Sequence, residues 1–250
     1  MLNRAAMKME AKEINRSAVV SAWGVSLLYL ALSMILEGLD TYTSGSVVRY
    51  MQRYLPELPV PAFLRVSYPP MMVIFISVMV LLLGTVLGAG YALYVLGVRR
   101  GEEMPYTTLF DGFGFVGKVV VLELVMRALV TLGFMVFVVP GFILSYRYRF
   151  ALYNLCENPE MSALEAMRMS AAQTTGHKGE LFVMDLSFLG WYLVAGLTAG
   201  LLMIWVLPYH EQTSVGYFQE IKRAKGIGFF PPESGSGDNV PPSDPFGPVF

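Results

Sequence analysis

Hydrophobic positions in this chain do not alternate with polar ones over most of its length; they run together in blocks. Residues 17–36 carry no charge, and residues 66–98 form 33 consecutive positions without Asp, Glu, Lys, Arg or His. About 20 apolar residues in a helix cross a hydrocarbon core of ~30 Å, so the second block spans it with residues to spare. The first block ends at Glu37 without a small-x-small cleavage site, which marks a retained span rather than a signal peptide. A third starts near Lys118 and runs to Pro140-Gly141, a turn signal because proline lacks an amide proton and glycine tolerates positive φ. Ahead of them, residues 1–16 mix Arg4, Lys8, Glu10, Lys12, Glu13 and Arg16 with Leu2, Ala5, Met9 and Ile14. That weakly amphipathic pattern predicts an interfacial helix.

The second half admits two arrangements. With four spans, residues 145–178 lie outside and the basic residues show little bias between the two sides. With six segments, residues 142–157 return inward, 180–197 go outward, the chain turns at 198–200, and the stretch from Leu201 to about Ile221 comes back. Twelve basic residues then face the cytoplasm and three the exterior, and this asymmetry favours about six membrane helices with both termini inside. Between them, Ser162 three before Glu165 is a capping-box pattern, predicting a short cytoplasmic helix over 162–176.

Composition agrees with an all-α polytopic transmembrane bundle over 17–225: 55% of residues are hydrophobic, 15% are charged and the mean hydropathy is +0.53. The 226–250 tail is rich in proline and glycine and poor in aliphatic residues, which predicts disorder. A net charge of -1 gives no basic face for nucleic acid. The single cysteine, Cys156, makes neither an intramolecular disulfide nor a thiolate metal cage.

Several motifs resolve to plain readings. Gly112-Phe113-Gly114-Phe115-Val116-Gly117-Lys118-Val119 mimics a phosphate loop, but Val119 replaces the magnesium-binding hydroxyl and the following helix enters lipid. His210-Glu211-Gln212-Thr213-Ser214 begins like a zinc-protease helix but lacks the second histidine, so no metal or other cofactor is expected. Gly84-Thr85-Val86-Leu87-Gly88 permits close helix approach, explained by packing within the chain, with homodimerisation the lesser reading.

Charges within the apolar segments say more, because each is costly there unless paired or hydrated. They are Glu123, Arg127, Arg147, Arg149 and Asp185. Glu123 and Arg127 are four apart, hence on one helical face. With six segments, Asp185 lies about 9 Å along its helix from Gly179, and Arg149 about 12 Å from Glu157, so the two can meet. A buried ion network that fixes helix assembly is the first reading; a polar path for an ion or substrate is the second.

Taken together, the landmarks from the second span onward resemble a bacterial membrane family, domain of unknown function 975. They are Gly90-Tyr91-Ala92-Leu93-Tyr94, Arg100-Gly101-Glu102-Glu103, Leu109-Phe110, Gly112-Phe113, Pro140-Gly141-Phe142-Ile143 and Glu157-Asn158-Pro159 with Ser162, Glu165 and Ala166. Then come Gly176-His177-Lys178, Glu180-Leu181-Phe182-Val183, the run Asp185-Leu186-Ser187-Phe188-Leu189-Gly190-Trp191, and Trp205 with Pro208-Tyr209. The likeness extends over roughly residues 1–225; the proline-rich tail and the arginine-rich segment at Arg147 and Arg149 depart from it. It implies an integral protein of a bacterial cytoplasmic membrane and brings no reaction, cofactor or catalytic residue.

The expectation is therefore a non-enzymatic protein acting through the lipid bilayer, a membrane-protein partner or a second copy, with helix 162–176 and the tail as contact surfaces. The alternative is a small permease with a polar path near Glu123, Arg127, Arg149 and Asp185. Single cysteines in a Cys156→Ser background test the arrangement. With six segments, Ala171→Cys resists an impermeant thiol reagent in intact cells and Ala199→Cys reacts; external labelling at 171 with none at 199 refutes it.

Overall fold

The computed structural model describes residues 4–64 and 67–228, so the expected tail lies outside the described residues beyond Gly228. Every regular element among the described residues is helical. Helix α1 (Arg4–Ser17) leads to α2 (Ala22–Thr43), α3 (Ser46–Tyr54) and α4 (Pro70–Arg100). A 3₁₀ stretch (Tyr106–Phe115) then runs into α5 (Val116–Val136), followed by α6 (Val138–Arg147), α7 (Ala151–Glu157) and α8 (Ala163–Thr174). The chain closes with α9 (Lys178–Leu186), α10 (Leu189–Leu197) and α11 (Met203–Lys225).

Four stretches are long and apolar enough to cross a membrane: Ala22–Thr43, Pro70–Arg99, Tyr106–Val136 and Lys178–Leu197. The two further arms of the six-segment arrangement, α6 with α7 and α11, do not meet that length and apolarity. Each nevertheless runs antiparallel to the arm before it. Gly133 of α5 lies against Gly141 of α6, while Lys118 at the start of α5 donates to the Pro159 carbonyl at 2.5 Å. Phe188 and Tyr192 meet the His210 ring of α11 edge-on across the second reversal.

The two reversals differ in chemistry. The first is the single extended residue Phe137, three before Pro140, which sits in the opening turn of α6 where an amide proton has no helical acceptor. The second is the turn at 198–202, with Ala199 at φ 50° and Gly200 at φ 87°. It closes on itself: Gly200 donates to Ala195, Met203 to Gly200, and the Thr198 hydroxyl accepts from the Leu202 amide at 3.3 Å.

Helix α4 organises the centre. Its first half presents Met71, Ile74, Phe75 and Val78 outward, whereas most of residues 85–98 is buried. Around that buried half pack the start of α2, the 3₁₀ stretch, α7 and α11. Ser26 of α2 bonds the Tyr91 hydroxyl at 2.8 Å, and the Tyr94 hydroxyl donates to the Val20 carbonyl at 2.9 Å. Gly101 at φ 80° stops α4, with the Glu102 amide reaching back to the Gly97 carbonyl at 3.0 Å.

Glycines let the 3₁₀ stretch lie flat on α4. A Cβ at Gly90 would strike the Leu109 backbone, and one at Gly112 would meet the Val86 carbonyl oxygen at 2.5 Å. Gly84 and Gly88 have open space at the Cβ position, so packing within the chain does not account for that pair, contrary to the sequence expectation.

Helix α8 opens on the expected capping box: Ser162 accepts from the Glu165 amide and Glu165 from the Ser162 amide at 2.8 Å. Those bonds from Ser162 hold the Glu165 carboxyl below the usual carboxylate range, so the cap stabilises at neutral pH and weakens as pH falls through that lowered value. The helix is not the free contact surface expected for it. Ala166, Met167, Met169, Ser170, Gln173 and Thr174 are buried, leaving Leu164 and Arg168 on the open side.

Gly90→Ala should lower thermal stability in detergent by about 1–3 kcal/mol through overpacking against backbone that cannot yield. Gly84→Ala and Gly88→Ala should be neutral or stabilising, by up to roughly 1 kcal/mol of helix propensity. Equal losses at all three positions would contradict this packing.

Candidate functional site

The site begins at a break in the chain. Helix α6 ends as the Tyr148 amide bonds the Leu144 carbonyl, and α7 starts as the Ala151 amide bonds the Tyr148 carbonyl, leaving residues 148–150 between the helices. Their backbone groups need partners that a helix would have supplied. Ser170 provides two, accepting from the Phe150 amide at 3.1 Å and donating to the Arg147 carbonyl at 2.9 Å. Thr174 donates to the same carbonyl at 3.2 Å. This support aims Arg149 inward.

Asp185 meets it from the last turn of α9. The Arg149 guanidinium donates to both carboxylate oxygens, Nη1 to Oδ2 at 2.5 Å and Nη2 to Oδ1 at 2.9 Å. The forked guanidinium matches the carboxylate, giving a charge-assisted pair with fixed orientation. The Tyr146 hydroxyl also donates to Oδ2 at 2.8 Å, and His210 Nε2 lies 3.0 Å from Oδ1. Asp185 is thus a hub for α6, the α6–α7 break and α11.

A second carboxylate extends the cluster. Glu211 accepts from the Tyr153 hydroxyl at 2.7 Å and lies 3.5 Å from His210 Nδ1, while Arg149 Nε is 3.3 Å from the Ser214 hydroxyl. The side chains of Arg149, Asp185 and His210 are 19%, 27% and 11% exposed. Two carboxylates face one guanidinium and one imidazole, so the four charges cancel when His210 carries a proton. In a low-dielectric setting that balance decides whether the group is tolerated.

The remaining expected residues lie elsewhere. Glu123 and Arg127 pair with each other at 3.0 Å along α5, and the Arg127 side chain is 62% exposed. Arg147 is exposed, with its guanidinium 6.0 Å from the Tyr148 ring. Of the five charges singled out in the sequence, the structure joins Arg149 with Asp185 and Glu123 with Arg127, as two separate pairs. Tyr146, Tyr153, His210, Glu211 and Ser214 were missed. The sequence signal for two of them is that His210-Glu211 directly follows the uncharged run 186–209.

A second ionic junction lies further along α11. Glu157 pairs with Arg100 at 3.2 Å and with Lys222, joining α7, α4 and α11. Arg99 bonds Gln219 and the Gln212 carbonyl, and pairs with Glu10 of α1 at 2.9 Å. No group of three or more His, Cys, Asp or Glu placed to hold a metal occurs among the described residues.

Residues 126–225 match a family described as protein of unknown function (DUF975). The matched stretch contains every member of the Arg149–Asp185 cluster and Glu157, and leaves out the landmarks at 90–117. No curated protein and no solved structure matches the chain.

Asp185→Ala should destabilise the protein by about 3 kcal/mol, because it strands the Arg149 guanidinium away from water. Arg149→Ala added to it should recover part of the loss. A double-mutant cycle read from detergent unfolding midpoints checks this; strictly additive effects would disprove the coupling.

Proposed function

We propose that this is a non-enzymatic integral membrane protein of a bacterial cytoplasmic membrane, acting through lipid or membrane-protein partners, with both termini on the cytoplasmic side. The carrying observation is how its deep charges are spent. Asp185 accepts from Arg149, Tyr146 and His210 at once, and Glu211 is held by Tyr153. Groups engaged in this way hold helices together and leave few lone pairs to take up a passing solute. The four apolar stretches support the membrane setting, and an even number of spans puts both termini on one side.

The permease reading requires polar groups strung along one route. Glu123 and Arg127 pair with each other on α5, apart from the Asp185 cluster, which weighs against such a route.

Purified protein in liposomes loaded with a pH-sensitive dye tests the choice. Proton flux under an imposed gradient should match protein-free liposomes for the wild type and for Asp185→Asn. Flux in the wild type that Asp185→Asn abolishes would reverse the conclusion in favour of a permease.

A further inference from the structure

A cavity of about 220 Å³ opens where α1 meets the start of α2 and the α10–α11 hairpin. Its wall includes Trp23, Trp191 and Trp205, which are all the tryptophans the chain has. These come from α2, α10 and α11, and each is 43–50% exposed. Indole rings gather at the boundary between hydrocarbon and headgroups because one edge is apolar and the N–H is a donor.

Two cations stand over this aromatic wall. Lys12 and Arg16 lie four apart on α1, so they share a face, and both line the cavity. Neither forms an ion pair with a carboxylate among the described residues; Lys12 lies 5.3 Å from the centre of the Tyr209 ring. Glu13 is the nearby acidic residue on α1, and it lines the neighbouring groove with Lys12 and Arg16, leaving the local balance positive.

A third feature points inward. Helix α1 buries Met7, Ala11 and Asn15, spaced as one stripe against the bundle, and the third member is polar where an apolar residue would serve. Asn15 is 8% exposed and lines the same cavity, and its Oδ1 has no hydrogen-bond partner among the described residues. A buried acceptor without a donor costs about 1–3 kcal/mol. A ligand hydroxyl would remove that cost.

We propose that this cavity binds the headgroup of an anionic glycerophospholipid bearing a hydroxyl, with the phosphodiester held by Lys12 and Arg16, the hydroxyl donating to Asn15, and the chains descending past the tryptophans. The phosphate supplies the negative charge that the two cations lack, and the tryptophans set the depth at which a glycerol backbone lies. The proposal deepens the reading of the protein as acting through lipids.

Because all three tryptophans line the cavity, their fluorescence reports on its occupant. In mixed bilayers, brominated phosphatidylglycerol should quench more than brominated phosphatidylcholine at equal mole fraction. Lys12→Gln with Arg16→Gln should remove that preference, about fivefold for each cation. Arg53→Gln, on α3, should keep it. Asn15→Leu should erase the advantage of phosphatidylglycerol over phosphatidylmethanol, which carries the same charge without hydroxyls. Equal quenching by the two brominated lipids in the wild type overturns the proposal, as does a preference that survives the double substitution in protein of unchanged thermal stability. Relief of quenching by millimolar glycerol 3-phosphate would show a soluble phosphate site and overturn the lipid assignment. The dye-liposome experiment reads flux alone, so its outcome and this one fail separately.

Discussion

An ionised side chain deep in an apolar bundle must meet its counter-charge, and the arrangement of the second half of this protein follows from that requirement. Asp185 sits at the end of α9, where the chain bends through Ser187 before α10 resumes. It draws Arg149 from the α6–α7 break, Tyr146 from α6 and His210 from α11 to one point. Two antiparallel hairpins that share little sequence proximity are thereby fixed against each other. The aromatic rings nearby serve the same end: Phe188 is wholly buried and lies edge-on to both Tyr209 and His210.

What the sequence disclosed follows from which signals are local. Arg149 and Asp185 each interrupt an apolar stretch, and helical rise from Glu157 and from Gly179 brings them to one depth once the chain returns across residues 158–178. Glu123 and Arg127 needed only the i,i+4 rule. Arg147 was singled out, like Arg149, as a charge within an apolar segment, but residues two apart at a helix end point in different directions, and the break at 148–150 separates them further. His210 and Glu211 stand where the uncharged run 186–209 has just ended, a signal of position that says nothing of burial. Their burial comes from α1, α2 and α4 packing over α11, a long-range effect.

The glycines tell a similar story. A small-residue spacing within one helix, Gly84 to Gly88, looked like a contact surface and meets nothing within 4 Å of its Cβ positions among the described residues. The close approach falls instead at Gly90 and Gly112, where a 3₁₀ stretch folds back along α4. Neither hydrophobic periodicity nor motif spacing announces such a stretch, because its side chains repeat on a three-residue period too short-lived to register. The capping box of α8 was legible since both partners lie within four residues.

Helix α1 carries a consequence for the order in which the protein is made. Its partners are late in the chain: Lys8 donates to the Ser187 carbonyl, 179 residues away, and lies 4.1 Å from the centre of the Phe188 ring, while Met7 joins the core containing Tyr217 and Phe218. A ribosome adding about 5–20 residues per second takes on the order of 10–40 s to supply that distance. Throughout that interval α1 lacks most of its seat, the ion pair from Glu10 to Arg99 apart, and its apolar stripe is left to the membrane surface. Helix α1 therefore docks late, a latch that closes only once α11 has been made.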